Sequence, residues 1–197
     1  MRRKITAAAI GAGLVTVSVL GTSGTAQAHG YTTSPTSRQS YCAQGTASDC
    51  GAIQWEPQSV EGPKGFPAAG PADGQICSGG NSRFAALDDP RGGSWPATDL
   101  NAGQSYSFDW TFTARHSTAD FQYFITNDGY DPSQPLTRSD LEAQPFLTVS
   151  MGGAQPGATE HHQGTVPAGK SGRHLILAVW NVADTGNAFY ACSDVDL

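Results

Sequence analysis

This 197-residue sequence has few basic residues, and their shortage excludes one class of partner. It holds 11 Lys and Arg against 17 Asp and Glu, which makes the formal net charge −6. Arg2, Arg3 and Lys4 account for three of the basic residues, so the rest of the chain is more acidic still. Because nucleic acids are bound largely through basic side chains that neutralise phosphates, we expect no nucleic-acid partner.

An uninterrupted apolar stretch long enough to cross a membrane is also missing. Small and polar residues interrupt the apolar segment 5–20, which falls short of the roughly 20 apolar residues that a span requires. The basic residues before it and Ala26-Gln27-Ala28 after it are typical of a secretory signal peptide over residues 1–28. We therefore predict cleavage after Ala28, an extracellular protein, no membrane partner and a mature chain that begins with His29.

Residues 29–197 contain no internal repeat and no Pro- or Thr-rich linker. A chain of this length is enough for one sizeable core and short for two. We predict a single domain that acts as a monomer, so any binding to a solid must use the surface of this domain.

A CxxC pair is absent among the four cysteines, which weakens a zinc-site interpretation. An even number of cysteines in a chain bound for an oxidising compartment favours disulfides. Three connectivities are possible. We favour Cys42–Cys50 as a local link within a loop and Cys77–Cys192 as a link from a long loop to the C-terminal strand, although the sequence leaves the pairing open.

No long amphipathic helical pattern competes with the strand signals of the second half of the chain. Tyr106, Phe108, Trp110 and Phe112 alternate with polar residues, which is the period of a half-buried strand. Shorter runs with similar character cover residues 120–126, 146–151, 174–182 and 188–195. We predict an all-β fold, a β-sandwich of the immunoglobulin or fibronectin type III kind.

The region from residue 40 to residue 101 has a different composition. Gly, Pro, Asp and Ser are dense there, and the apolar residues are scattered without a period. We predict a long, partly helical loop region between the first strands. Loops of this length inside a compact domain usually have a function.

An N-terminal histidine is a chelating residue. Once exposed by cleavage, His29 would offer a metal its imidazole and its α-amine, whose reference pKa of about 8 lets it deprotonate when a cation binds. A second imidazole would complete a set of three nitrogens, which suits Cu(II).

Four other histidines compete for the second position: His116, His161, His162 and His174. His116 stands out because it follows the most regular predicted strand at a turn, and functional sites collect in loops at strand ends. The other three are interpreted as ordinary surface or core histidines.

Several segments carry a resemblance to a known family. They are HGY at 29–31, QWEPQSVEG at 54–62, KGFP at 64–67, GPADG at 70–74, TARHST at 113–118, YFIT at 123–126, AVW at 178–180 and NAFY at 187–190. In this order they resemble the bacterial lytic polysaccharide monooxygenases of auxiliary activity family 10, and in particular the chitin-active members once described as chitin-binding proteins. The resemblance spans nearly the whole chain after residue 28.

The resemblance implies one copper ion per chain. His29 would bind it through its α-amine and ring, and His116 through its ring. Phe189 would lie at an axial position and Ala114 would crowd the opposite side. Glu61 would hydrogen-bond a copper-bound oxygen species.

The resemblance also implies a flat, mostly polar substrate face. Its residues would be Trp55, Glu56, Thr113, Asp184 and Asn187, with Trp55 suited to stacking on a sugar ring.

The implied activity of residues 29–197 is copper-dependent oxidative cleavage of glycosidic bonds in insoluble chitin, by oxidation at C1. It requires an external electron donor and hydrogen peroxide or oxygen. Three alternatives remain at this point: a cellulose-active monooxygenase, a chitin-binding protein without activity, and a periplasmic copper carrier. A glycosidase is disfavoured because the sequence shows no signature of the two placed carboxylates that it needs.

Overall fold

The computed structural model describes residues 28–197, so the predicted signal peptide lies outside the described residues apart from Ala28. Two β-sheets make up the framework, one with the strand order β1-β4-β7 and one with the order β2-β9-β8-β5-β6, to which β3 adds by pairing with β9. The strands are β1 His29–Ser34, β2 Glu61–Pro63, β3 Thr98–Asp99, β4 Ser105–Ala114, β5 Thr118–Ile125, β6 Leu147–Ser150, β7 Thr159–Thr165, β8 Arg173–Val182 and β9 Asn187–Asp196. The predicted β-sandwich is confirmed.

Helices are few and short. One α-helix, α1, covers Arg38–Ala43, and five 3-10 helices cover Gly51–Trp55, Pro57–Ser59, Ser82–Leu87, Arg91–Gly93 and Arg138–Asp140. Four of the five 3-10 helices lie in the region predicted as a partly helical loop. None of the helices within residues 28–197 is both long and apolar enough to cross a membrane.

All five predicted strands are present, as β4, β5, β6, β8 and β9. The strands at the two edges of the three-stranded sheet, β1 and β7, were not predicted. In β7 the inward positions alternate as a strand requires, but Glu160, His162 and Gly164 fill them, so no apolar alternation marks the strand.

The larger sheet is buried on both of its faces. On β8, Ile176, Ala178 and Trp180 point into a cluster that includes the aromatic residues of β4. Leu175 and Leu177 point the other way, into a cluster with apolar residues of the loop region. The loop region therefore forms a third layer with its own core, which explains why β8 is apolar at consecutive positions.

A buried ion pair attaches α1 to the last strand. Arg38 donates hydrogen bonds to both carboxylate oxygens of Asp194 on β9, at 2.7 and 3.0 Å, and both side chains are 3% exposed. Arg38 also donates to the carbonyl of Leu87 at 2.8 Å. The indole ring of Trp95 contacts two guanidinium groups, those of Arg38 at 5.0 Å and Arg91 at 3.8 Å from its centroid.

Two disulfides link the same region. The structure contains Cys42–Cys50 and Cys77–Cys192, the pairing favoured from the sequence. The second joins the loop region to β9, so the loop layer is tied to this strand both covalently and through the ion pair.

We expect Asp194→Asn to lower the free energy of unfolding by about 3–5 kcal/mol, because it leaves the Arg38 guanidinium buried beside a neutral partner. Urea unfolding followed by tryptophan fluorescence measures the change. Asp196→Asn is a matched control on the same strand, since its ion pair with Arg173 is 45% exposed on the aspartate side and should contribute about 0–1 kcal/mol. Equal effects of the two substitutions would contradict this prediction.

A buried hydrogen-bonded chain joins three side chains inside the sandwich. The indole of Trp110 donates to the Tyr123 hydroxyl at 3.0 Å, and that hydroxyl lies 2.7 Å from Nδ1 of His162. Burial lowers the pKa of His162, and the nearby Glu160 carboxylate opposes this only in part. Folding therefore favours the neutral imidazole.

We expect protonation of His162 to destabilise the fold in acid. The unfolded imidazole binds its proton near pH 6.5, above the lowered pKa of the folded state, so the free energy of unfolding falls as the pH drops below about 6.5. His162→Asn should lose less stability than the parent between pH 7 and pH 5 in urea unfolding. Gln163→Asn replaces an adjacent residue that is exposed and does not titrate, and it should follow the parent. Parallel pH profiles for all three proteins would refute the assignment.

Candidate metal centre

Strand pairing brings the two predicted metal-binding histidines to one end of the three-stranded sheet. His29, the first residue of β1, lies opposite Ala114, the last residue of β4. His116 follows Ala114 by two residues. Gly30 allows this pairing, because a Cβ atom there would lie only 2.6 Å from the ring of Phe112.

The turn that contains His116 is held by a buried hydrogen-bond chain. The indole of Trp180 donates to the Thr118 hydroxyl at 2.8 Å, and this hydroxyl donates to the carbonyl of His116 at 3.0 Å. The backbone of His116 is thereby linked to the aromatic core between the two sheets.

Phe189 reaches the same end of the molecule from the other sheet. It lies opposite Trp180 of β8 and opposite Glu61 of β2 in antiparallel pairs, and directly opposed residues share one face of a sheet. The Phe189 side chain is fully buried. Its ring centroid is 4.8 Å from that of Trp180 and 6.4 Å from that of His29, and the planes of the Phe189 and His29 rings make an angle of 68°.

Glu61 is held beside Phe189 by two contacts. The side-chain amide of Asn187 donates to Oε1 of Glu61 at 2.7 Å. The next residue, Gly62, packs on the backbone of Gly79 so closely that a Cβ atom would lie 2.2 Å from the Gly79 carbonyl oxygen. The second carboxylate oxygen, Oε2, has no partner within residues 28–197, so it is available to a ligand.

Asp184 lies against His116. Its Oδ1 is 2.9 Å from the buried Nδ1 of His116, but the carboxylate is off the direction of the ring N–H, so Nδ1 makes no hydrogen bond. A metal-bound imidazole commonly has a carboxylate at its other nitrogen. This contact leaves Nε2 as the nitrogen of His116 that is available to a metal.

The residues present fit a copper ion. No group of three or more His, Cys, Asp or Glu side chains suited to a metal occurs between residues 28 and 197. The two imidazoles would therefore need a third donor that is not a side chain, and the α-amine of a chain beginning at His29 supplies one. A set of nitrogen donors beside the apolar ring of Phe189 suits Cu(II).

The predicted substrate-face residues occupy two exposed areas around this centre. Trp55 ends the 3-10 helix Gly51–Trp55 and is 81% exposed, the only exposed large hydrophobic side chain of the described residues. The following helix, Pro57–Ser59, packs against β1. Thr113 and Asn187 are exposed at the ends of β4 and β9, near the histidines.

Sequence reasoning missed the partners of these residues. Arg83 forms an ion pair with Glu56 at 2.5 Å, and Asn187 contacts Glu61 across 126 positions of sequence. Neither pair follows a periodic or spacing pattern that a single sequence could reveal. The remaining histidines lie elsewhere, with His161 paired to Asp109 and His174 at the opposite end of β8.

Comparisons with known proteins point to one family. Residues 29–195 match a family model described as lytic polysaccharide mono-oxygenase, cellulose-degrading. The structure of an AA10 lytic polysaccharide monooxygenase from Streptomyces lividans is 63% identical, with a TM-score of 0.84 over 86% of this chain and 100% of that chain. A CBM33 protein from Bacillus amyloliquefaciens, solved in complex with Cu(I), is 40% identical, with a TM-score of 0.77 over 86% of this chain and 99% of that chain.

The name of a curated relative states what that relative binds. GlcNAc-binding protein A of Shewanella oneidensis is 46% identical over 172 residues, which are 87% of this chain and 36% of the relative. The chain spans about half of the length, or less, of the curated relatives it matches.

We expect the protein that begins at His29 to bind Cu(II) more than about 100-fold more tightly than a form that retains Ala28. The reason is that a peptide nitrogen replaces the amine donor, and even the loss of an outer partner of a metal ligand costs 10–100-fold. Isothermal titration calorimetry measures both affinities. His116→Ala should weaken binding and the exposed control His161→Ala should not. Equal affinities of the two forms would exclude the amine as a ligand.

Proposed function

This chain belongs to the lytic polysaccharide monooxygenases of auxiliary activity family 10, and we propose that it cleaves glycosidic bonds of crystalline chitin oxidatively, with one copper ion. The observation that supports this best is the meeting of His29 and His116 beside Phe189 and Glu61 at one exposed end of the two sheets. We further propose that the protein is secreted, that cleavage after Ala28 exposes His29, and that residues 29–197 form the catalytic domain. The match of the family model from residue 29 supports this boundary.

His29 and His116 would hold the copper ion through their imidazoles and the α-amine of His29. Bound copper would supply a redox centre that an external electron donor reduces and that activates hydrogen peroxide or oxygen for attack on a C–H bond. The histidines orient this chemistry toward the surface, because both lie at a sheet end and not in an enclosed cavity.

Phe189 and Glu61 divide the surroundings of the centre into an apolar and a polar part. The buried Phe189 ring excludes water from one side. On the polar side, Asn187 occupies Oε1 of Glu61, so Oε2 remains to accept a hydrogen bond or a proton from the co-substrate.

The exposed residues suit a solid substrate. The Trp55 indole, next to Glu56, offers an apolar face for a sugar ring, and Thr113 and Asn187 offer hydrogen bonds near the histidines. A surface that projects an aromatic ring and encloses no chain can contact only the outer chains of an insoluble polymer.

Chitin is the proposed substrate because GlcNAc, named in the relative from Shewanella oneidensis, is the repeating unit of chitin. The family model's description names cellulose, so cellulose is the substrate to compare. We propose oxidation at C1, which yields a lactone and then an aldonic acid once the glycosidic bond has broken.

We expect copper-loaded protein beginning at His29 to release chito-oligosaccharides with aldonic-acid ends from chitin when a reductant is added. Mass spectrometry of the soluble products identifies them. His116→Ala should abolish the products, whereas His161→Ala, a histidine substitution away from the centre, should leave them.

Three outcomes would count against this function. Oxidised products from cellulose alone would show that the substrate is cellulose and not chitin. Oxidised ends at C4 would show that attack occurs at C4 and not at C1. Adsorption to chitin with no oxidised product despite confirmed copper loading would indicate a binding protein instead.

A further inference from the structure

A groove of about 460 Å³ is lined on one side by Glu61, Gly62, Pro63 and Asn187, of which only Asn187 was predicted to bind substrate. Its opposite wall is the turn from Gly79 to Ser82. The groove is wide open to solvent, so a segment of a polymer can enter it from the surface.

The wall formed by the turn is fixed relative to Glu61. Gly62 packs on the Gly79 carbonyl, and a Cβ atom at Gly79, where φ is +68°, would lie 3.0 Å from the carbonyl oxygen of Glu61. The Cys77–Cys192 disulfide ties the chain to β9 just before the turn. The groove is therefore formed in the absence of a ligand.

The groove presents unpaired hydrogen-bonding atoms. Oδ1 of Asn81 accepts a hydrogen bond from the backbone of Arg83 at 3.0 Å. The side-chain amide nitrogen of Asn81 and the hydroxyl of Ser82 have no partner anywhere in residues 28–197. They face no competing protein group, so a ligand can use both.

The charge of the groove selects the class of ligand. None of its lining residues is basic, and Glu61 is the one charged group among them. A phosphate or carboxylate would meet repulsion without a compensating cation. Amide and hydroxyl groups instead suit a neutral ligand that carries hydroxyl or amide groups.

The turn also contacts the exposed aromatic part of the surface. Arg83, the residue after Ser82, forms the 2.5 Å ion pair with Glu56, the residue after Trp55. The turn thus adjoins Glu61 at one end and the Trp55 segment at the other, so a polymer lying on Trp55 and the metal centre would pass beside the groove.

We propose that this groove is a binding subsite for a sugar unit next to the unit that is oxidised, with hydrogen bonds from the Asn81 amide and the Ser82 hydroxyl. The inference rests on the proposed function and adds two residues to its substrate contacts. The neutral sugar takes up the unpaired donors, and the fixed turn sets the position of the chain relative to Glu61.

The test is adsorption of the copper-loaded protein, without reductant, to the polysaccharide that the parent protein oxidises. Ser82→Ala removes a hydroxyl that bonds nothing in the folded chain. Asn81→Asp keeps the Oδ1 acceptor for Arg83 and removes the amide donor. Ser105→Ala is the matched control, because Ser105 is exposed at the end of β4 away from Ala114.

Ser82→Ala and Asn81→Asp should each weaken adsorption about two- to tenfold, the amount expected for one lost hydrogen bond, and Ser105→Ala should not. Cu(II) affinity and the urea midpoint should stay at the parent values. If Asn81→Asp shifts the urea midpoint, its adsorption also reflects a change in stability, and the result for Ser82→Ala alone tests the subsite.

Adsorption of both groove variants at the parent level, with the parent oxidising its substrate normally, would overturn the subsite and leave the proposed function intact. A parent protein that neither adsorbs to nor oxidises chitin or cellulose would overturn the proposed function and the subsite together.

Discussion

The fold and the candidate metal centre are both organised around the register of β9. This strand is hydrogen-bonded to β8 on one side and to β2 and β3 on the other. Within six residues it supplies Phe189 to the metal centre, Cys192 to the disulfide and Asp194 to the buried ion pair. A shift of one residue would turn all three side chains to the opposite face, which would separate the loop layer from the sheet and Phe189 from His29.

The candidate centre is assembled from both sheets, so its geometry depends on their packing. His29 lies in the three-stranded sheet and His116 in the turn that leads from β4 to β5, whereas Phe189 and Glu61 come from the larger sheet. Aromatic contacts join the two, with the ring centroids of Phe112 and Trp180 4.8 Å apart. Such a densely packed interior resists deformation, and this rigidity suits a centre that must keep its ligands in place at an exposed surface.

The long loop region shows why the fold class was easier to predict than the third layer that this region forms on the larger sheet. Strands β4 and β8 can be predicted from their alternating or continuous apolar residues. In contrast, Ile53, Phe84 and Trp95 are isolated apolar residues in the sequence, yet they are fully or almost fully buried. Short 3-10 turns have no apolar period of their own, so their burial follows from where the disulfides and the Arg38–Asp194 pair hold the chain. The edge strands β1 and β7 were not predicted for a related reason, because they contain few apolar residues.

Residue periodicity and motifs in a fixed order were enough to identify the β-sandwich class and the family, and they also predict an export signal. The sequence also singled out His29 and His116 as chemistry-bearing residues. Their surroundings became clear only from the folded chain: Asp184 lies beside Nδ1 of His116, Asn187 on Glu61 and Arg83 on Glu56, and the groove runs along Asn81 and Ser82. These contacts join residues that are far apart in the chain, and strand register and loop closure, which leave no local sequence pattern, bring them together.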